Sequence, residues 1–216
     1  MTTDTSGLMV ATPAPGGLLH ADHVATLLGL VRAGVALSHV TASGERDASR
    51  ARNAMLSAFH ARRGAGHLLF LDADVGIAPG DVIRMLGHGR DVVAAAVPLE
   101  TPGPGGDPRY EVGRTVGEDG PLTLHEHAGA SALLLARHAV DALVEDARAA
   151  GLAYGSSTVL EGDPGTRIDY DVFRAGAADG EYVGGEAHAC ATLRRLGFAI
   201  HVDPAVVVRR HRIAAF

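Results

Sequence analysis

The chain has 216 residues, 47% of them hydrophobic, and a formal net charge of −6. That describes one domain of ordinary size with enough apolar material for a core, and it excludes a disordered chain. The acidic balance argues against a phosphate-backbone binder, the longest apolar run (Ala128–Ala136) is too short to span a bilayer, and a single cysteine, Cys190, excludes an internal disulfide or a cysteine metal cage.

Every basic residue is arginine. Without lysine there is no P-loop lysine and no Schiff-base lysine. Asn53 is the sole asparagine. Met1–Leu8 has neither a basic n-region nor an apolar signal core. A cytoplasmic protein with no membrane span and no nucleic-acid partner is the expectation.

Val10–Thr12, after Leu8 and Met9, reads as a buried strand that Pro13, Pro15, Gly16 and Gly17 end. Asp22–Arg32 has Val24, Leu27, Leu28 and Val31 at helical spacing. Val35–Val40 is a strand. Asp47–Arg62 carries Ala51, Met55, Ala58 and Phe59 along one helical face. His67–Leu71 is a strand of continuous apolar character. Pro79 opens a helix with Val82, Ile83 and Leu86 inward, and Asp91–Val97 is again a strand. This alternation predicts an α/β fold with a mostly parallel sheet flanked by helices, whose ligands bind beyond the carboxyl ends of the strands. The loops after Thr12, Val40, Leu71 and Val97 therefore line the predicted site.

Pro98–Pro108 is a Pro- and Gly-rich loop. Tyr110–Leu124 reads as a hairpin turning near Asp119-Gly120, the small antiparallel part of the fold. Ala130–Leu135 is a strand and His138–Ala150 a helix. Tyr154–Asp179 is irregular. Gly185–Leu196 is a helix closed by Gly197, and Phe198–Val202 and Val206–Arg210 are strands around Asp203-Pro204. The expected organisation is a single Rossmann-like domain over 1–216, its halves being 1–97 and 98–216.

The most informative stretch is His67-Leu68-Leu69-Phe70-Leu71-Asp72-Ala73-Asp74. A buried strand ends in two carboxylates one residue apart, and the turn lets both face one ion. Hard divalent cations such as Mn²⁺ and Mg²⁺ prefer such oxygens and leave positions open for phosphate. The bland alternative is a pair of aspartates that cap the next helix or solvate a loop. A haloacid-dehalogenase-type phosphatase needs its Asp-x-Asp on the first strand and a lysine later. Neither condition holds.

Four blocks together resemble a GT-A-fold glycosyltransferase of the family-2-like and Anp1-like group. They are Thr12-Pro13 with Gly16-Gly17 and His20; Ser49-Arg50-Ala51-Arg52-Asn53; Leu69 through Gly76; and Gly185-Glu186-Ala187 through Asp203-Pro204 to His211. The resemblance implies sugar transfer from a nucleotide-diphosphate donor to an unidentified acceptor. It implies a nucleotide-sugar-binding half, 1–97, and an acceptor-side half, 98–216, with a donor site at Thr12, Pro13, Arg52 and Asp72 and a metal held by Asp72, Asp74 and His211. Inversion and retention of configuration both stay open; for inversion it implies Glu186 as the catalytic base toward the acceptor. The sole Asn53 suggests a further hydrogen bond to the donor.

Where the group has a Glu-Asp pair, this chain has Glu186-Ala187. Glu186 is thus a base or a helix cap, with Asp179 and Glu181 as nearby substitutes. Arg209, Arg210 and Arg212 are either a solvated edge or a lid over the diphosphate. His125 and His127 read as surface or acceptor-side residues. The alternative to an enzyme is a non-catalytic nucleotide-sugar-binding or scaffold protein of the same fold.

Overall fold

The computed structural model describes residues 7–101, 103–162, 167–178 and 180–211. Asp179 and Arg212 lie outside the described residues. In chain order the elements are β1 (Gly7–Ala14), α1 (Ala21–Arg32), β2 (Leu37–Ser43), α2 (Ala48–Ala61), β3 (Ala65–Leu71), β4 (Val75–Ile77), α3 (Pro79–Gly87) and β5 (Val92–Ala95). There follow β6 (Thr115–Asp119), β7 (Leu122–His125), β8 (Ala132–Ala136), α4 (Arg137–Ala149), β9 (Ala153–Gly155), β10 (Ile168–Tyr170), β11 (Gly176–Ala178), β12 (Glu181–Val183), α5 (Gly185–Arg195), β13 (Ile200–Asp203) and β14 (Val208–Arg210). No helix among the described residues is long and apolar enough to cross a membrane.

The main sheet has eight strands in the order β2-β1-β3-β8-β5-β13-β7-β6. β1 runs parallel to β2 and β3, and β5 parallel to β13. β8 enters antiparallel between β3 and β5, and β7 antiparallel between β13 and β6. All strands but β7 and β8 therefore point the same way, as the strand–helix alternation predicts. The insertion of β8 has no sign in the pattern. Its Ala-Leu-Leu-Leu-Ala run is buried on both faces, as the parallel strands are.

Alternate residues of each central strand supply two cores. Met9, Ala11, Leu68 and Phe70 pack with α2, α4 and α5; Leu8, Val10, Leu69 and Leu71 pack with α1 and α3. α1 forms where predicted but buries a different face. His23, Thr26 and Leu30 are inward, whereas Leu28 and Val31 are more than half exposed. Polar bonds decide this: Thr26 Oγ1 donates to the Ile77 carbonyl at 2.8 Å, and His23 hydrogen-bonds the Asp72 carbonyl at 3.1 Å. α3 likewise buries Val82 and Met85 and leaves Ile83 exposed.

α2 is the element that reaches the site, and both its ends are tied. The Asp47 carboxylate accepts the Arg50 N–H at 3.1 Å as the N-cap. At the other end the Arg137 guanidinium lies 3.7 Å over the Phe59 ring and donates to the carbonyls of Phe59, Arg62 and Ala65. Midway, Asn53 is buried. Its Oδ1 accepts the N–H groups of Val172 and Phe173 at 3.0 and 2.8 Å, and its Nδ2 donates to Asp171 at 2.9 Å. The amide staples the irregular 171–173 segment to α2, and Asn53 also lines the cleft described below.

Replacing Asn53 by Ala orphans two buried N–H groups, a loss of about 2–4 kcal/mol. Thermal unfolding should show a melting temperature lower by roughly 5–15 °C. Asn53→Asp keeps the accepting oxygen but sets a second carboxylate on Asp171, so its deficit should shrink on acidification to about pH 4, where carboxylates begin to protonate. An Asn53→Ala variant as stable as wild type would remove this role.

Candidate functional site

The chain leaves β3 at Leu71 and turns at once, with the Val75 N–H on the Asp72 carbonyl at 3.0 Å. The turn sets both aspartates at the carboxyl end of a central strand, the position where α/β sheets bind ligands. Asp72 is held from three elements. Arg52 Nη2 of α2 donates to its Oδ1 at 3.0 Å, Ser131 Oγ just before β8 donates to its Oδ2 at 2.7 Å, and Arg210 Nη2 of β14 lies 3.5 Å from Oδ2.

Arg210 is the second hub. Its Nε lies 3.3 Å from Asp74 Oδ2, its Nη1 donates to Glu111 and to the Pro98 carbonyl, and its Nη2 donates to Ser131 Oγ at 2.7 Å. The sequence leaves this arginine open between solvated edge and lid. The structure puts its side chain at 13% exposure inside the cluster, while Arg209 stays 73% exposed. Alternation along β14 separates the two.

Glu186 sits in the first turn of α5, where Gly184 occupies the cap position without a side-chain bond. Its carboxylate receives Arg52 Nη1 instead of capping the helix, and it keeps 34% of its surface exposed. α5 can approach this closely because residue 185 is glycine: a Cβ there would lie 2.7 Å from Ser49 Oγ and 2.9 Å from the Phe173 carbonyl oxygen. Glu186 also lines a cleft of about 810 Å³ between α2 and the 171–188 segment, with Arg50, Asp171, Arg174, Tyr182 and His188.

Four carboxylates, Asp72, Asp74, Glu111 and Glu186, thus surround two guanidinium groups, Arg52 and Arg210. With all of them ionised, the cluster carries two more negative charges than positive. Burial pushes the Asp74 carboxyl up. Arg210 opposes that shift, and Asp72 and Glu111 add to it. An added cation would relieve the excess.

The remaining predicted residues lie elsewhere. His211 donates its backbone N–H to the Asp74 carbonyl at 2.9 Å, but its ring turns to Asp22, with Nε2 at 2.9 Å from Oδ2. It is not a third ligand beside the two aspartates, because β14 has already delivered Arg210 to that face. Thr12 and Pro13 are buried in β1. Thr12 Oγ1 instead joins His23 at 3.2 Å and His39 at 3.0 Å. His125 is buried against the Gly113 carbonyl at 2.8 Å, which corrects the surface reading. Ser131 and Glu111 had no signal in the sequence.

No protein-family model and no curated protein matches the chain. Among solved structures it is similar to A197 from STIV, with a TM-score of 0.57 at 14% identity over 96% of this chain and 86% of that one. Identity this low shows a shared α/β fold and nothing about chemistry.

The Thr12 relay predicts a pH response. Burial, helped by the neighbouring His23, pushes His39 down from 6.5 to about 4, and burial lowers His23 as well. Between those values the unfolded chain binds more protons than the folded one. This contribution to stability is therefore complete above pH 6.5 and is lost as pH falls toward 4. Melting temperature against pH should fall across this window, and His39→Gln should flatten the fall. An unchanged slope in the variant would remove His39 as its source.

Proposed function

We propose that this chain is a glycosyltransferase that moves a sugar from a nucleotide-diphosphate donor to an acceptor hydroxyl or amine, with Mn²⁺ or Mg²⁺ as cofactor. The observation that carries the reading is the convergence of Asp72 and Asp74, at the end of a central strand, on a single cationic centre, with Arg52 joining Asp72 to Glu186 in an open cleft.

The donor set suits the ion. Carboxylate oxygens are the ligands that Mn²⁺ and Mg²⁺ prefer, and the cluster has negative charge to spare. Asp72 and Asp74 would hold it; His211 is outside the set. Such an ion supplies charge stabilisation to a departing diphosphate. When the aspartates are so engaged, Arg210 is released to pair with phosphate oxygens, for which its planar fork is suited. Arg52 stays between Asp72 and Glu186 and couples the donor side to the acceptor side.

Glu186 faces the cleft where an acceptor would enter. Its carboxylate, oriented by Arg52, removes the acceptor proton as the new glycosidic bond forms and the bond to the diphosphate breaks. The wall formed by residues 171–177 and 182–188 belongs to the half, 98–216, expected on the acceptor side. The 115–125 hairpin, at the far edge of the sheet, does not line this cleft.

Thermal unfolding with UDP, GDP and dTDP, each with and without Mn²⁺, tests the reading. A nucleotide at 100 times its dissociation constant adds about 2.7 kcal/mol, or roughly 5–11 °C. One nucleotide should give a metal-dependent shift that Asp74→Ala abolishes. Glu186→Gln should then bind the same nucleotide but turn over about 10²–10⁴-fold more slowly. No shift with any nucleotide overturns the reading. Binding without turnover in the wild type turns it toward a nucleotide-sugar-binding scaffold.

A further inference from the structure

Beside the aspartate turn, on the other side of β14, His20, Asp22 and His211 come together. One ligand atom from each lies within 4.8 Å of the other two, the only such group of histidine, cysteine or acidic residues among the described residues. The two imidazoles stack, with centroids 3.7 Å apart and planes 9° from parallel, and His211 Nε2 is 2.9 Å from Asp22 Oδ2. We propose that this group is a binding site for a borderline divalent transition ion of the zinc or cobalt class.

Several features hold the ligands in place before any ion arrives. Both histidines hang by their backbone N–H groups from the aspartate turn, His20 on the Ala73 carbonyl and His211 on the Asp74 carbonyl, each at 2.9 Å. Asp22 fits because residue 76 is glycine: a Cβ there would come within 2.7 Å of the Asp22 Cβ. The ligands come from two segments, 20–22 and 211, and the backbone of the 73–76 turn sets where both lie. A groove of about 220 Å³ reaches Asp22 from solvent and gives an entry path.

The donor set decides the kind of ion. Two imidazole nitrogens and one carboxylate oxygen suit zinc and cobalt, whereas the all-carboxylate pair at Asp72 and Asp74 suits magnesium and manganese. Zinc ligands sit about 2.0–2.1 Å from the ion. To reach one ion the two rings would rotate out of their parallel stack, and Asp22 and His211, now 2.9 Å apart, would open slightly. His20 Nδ1 now accepts the Asp22 N–H at 3.1 Å as the cap of α1. Coordination through Nε2 moves the ring proton to Nδ1 and leaves that N–H to water. Arg209, 3.6 Å from Asp22 and largely exposed, swings aside. Three protein ligands leave a further position open. The bound ion ties the C-terminal strand to the start of α1. The site stands independently of the sugar-transfer reading.

The test is titration of the chelator-stripped protein with Co²⁺, followed by its d–d absorption, and with Zn²⁺ in competition with a chromophoric chelator. His20→Asn removes the imidazole but keeps a good helix cap. One equivalent should bind to the wild type. His20→Asn and His211→Gln should each weaken it at least tenfold, and Gly76→Ala should weaken it without touching a ligand. Asp74→Ala should leave it unchanged. No binding in the wild type overturns the proposal, as does binding that survives both histidine variants or that disappears in Asp74→Ala. A nucleotide that fails to bind would sink the sugar-transfer reading and leave these results standing.

Discussion

The site depends on one half-buried carboxylate. Asp72 is bonded by Arg52 of α2 and Ser131 before β8, and it faces Arg210 of β14. A lone charge at this depth would be costly. It is tolerated because each neighbour brings a donor or a positive charge from a different part of the chain. The cost of removing one partner is therefore shared by the others, and the end of β3, the start of β8 and the C-terminal strand are held in mutual register. The same web leaves Asp74 less well served, which is why burial dominates its titration.

The two arginines divide the work by depth. Arg52 is almost fully buried and spans Asp72 and Glu186, so it is a fixed strut between the strand end and α5. Arg210 comes from a three-residue strand that pairs only with β4. It is the more easily displaced of the two.

Much of this was legible in the sequence. The strand–helix alternation, the Asp-x-Asp at a strand end and the length of α2 follow from periodicity and punctuation alone. The misread parts have a common cause. The inward face of α1 was taken from Val24, Leu27, Leu28 and Val31, but hydrogen bonds from His23 and Thr26 turn the helix by about one residue. Asn53 stood out as the sole asparagine, yet its partners are backbone N–H groups more than a hundred positions away, which no local pattern encodes. Ser131 and Glu111 are ordinary residues in ordinary surroundings until the sheet closes. His211 was assigned to the correct neighbourhood and the wrong face, because alternation in a short strand depends on where its pairing begins.

That pairing carries a consequence. β14 meets β4 through Val208–Ile77, Arg209–Gly76 and Arg210–Val75. A strand slipped by one position reverses every side chain on it. Here it would put His211 in place of Arg210 on the aspartate side and Arg210 in place of His211 opposite Asp22. Three ladder pairs therefore act as a selector that sends the Arg210 side chain to the aspartates and the His211 ring to Asp22. Side chains at Val75 and Ile77 that weaken the pairing would scramble both addresses at once, though neither residue touches a ligand group.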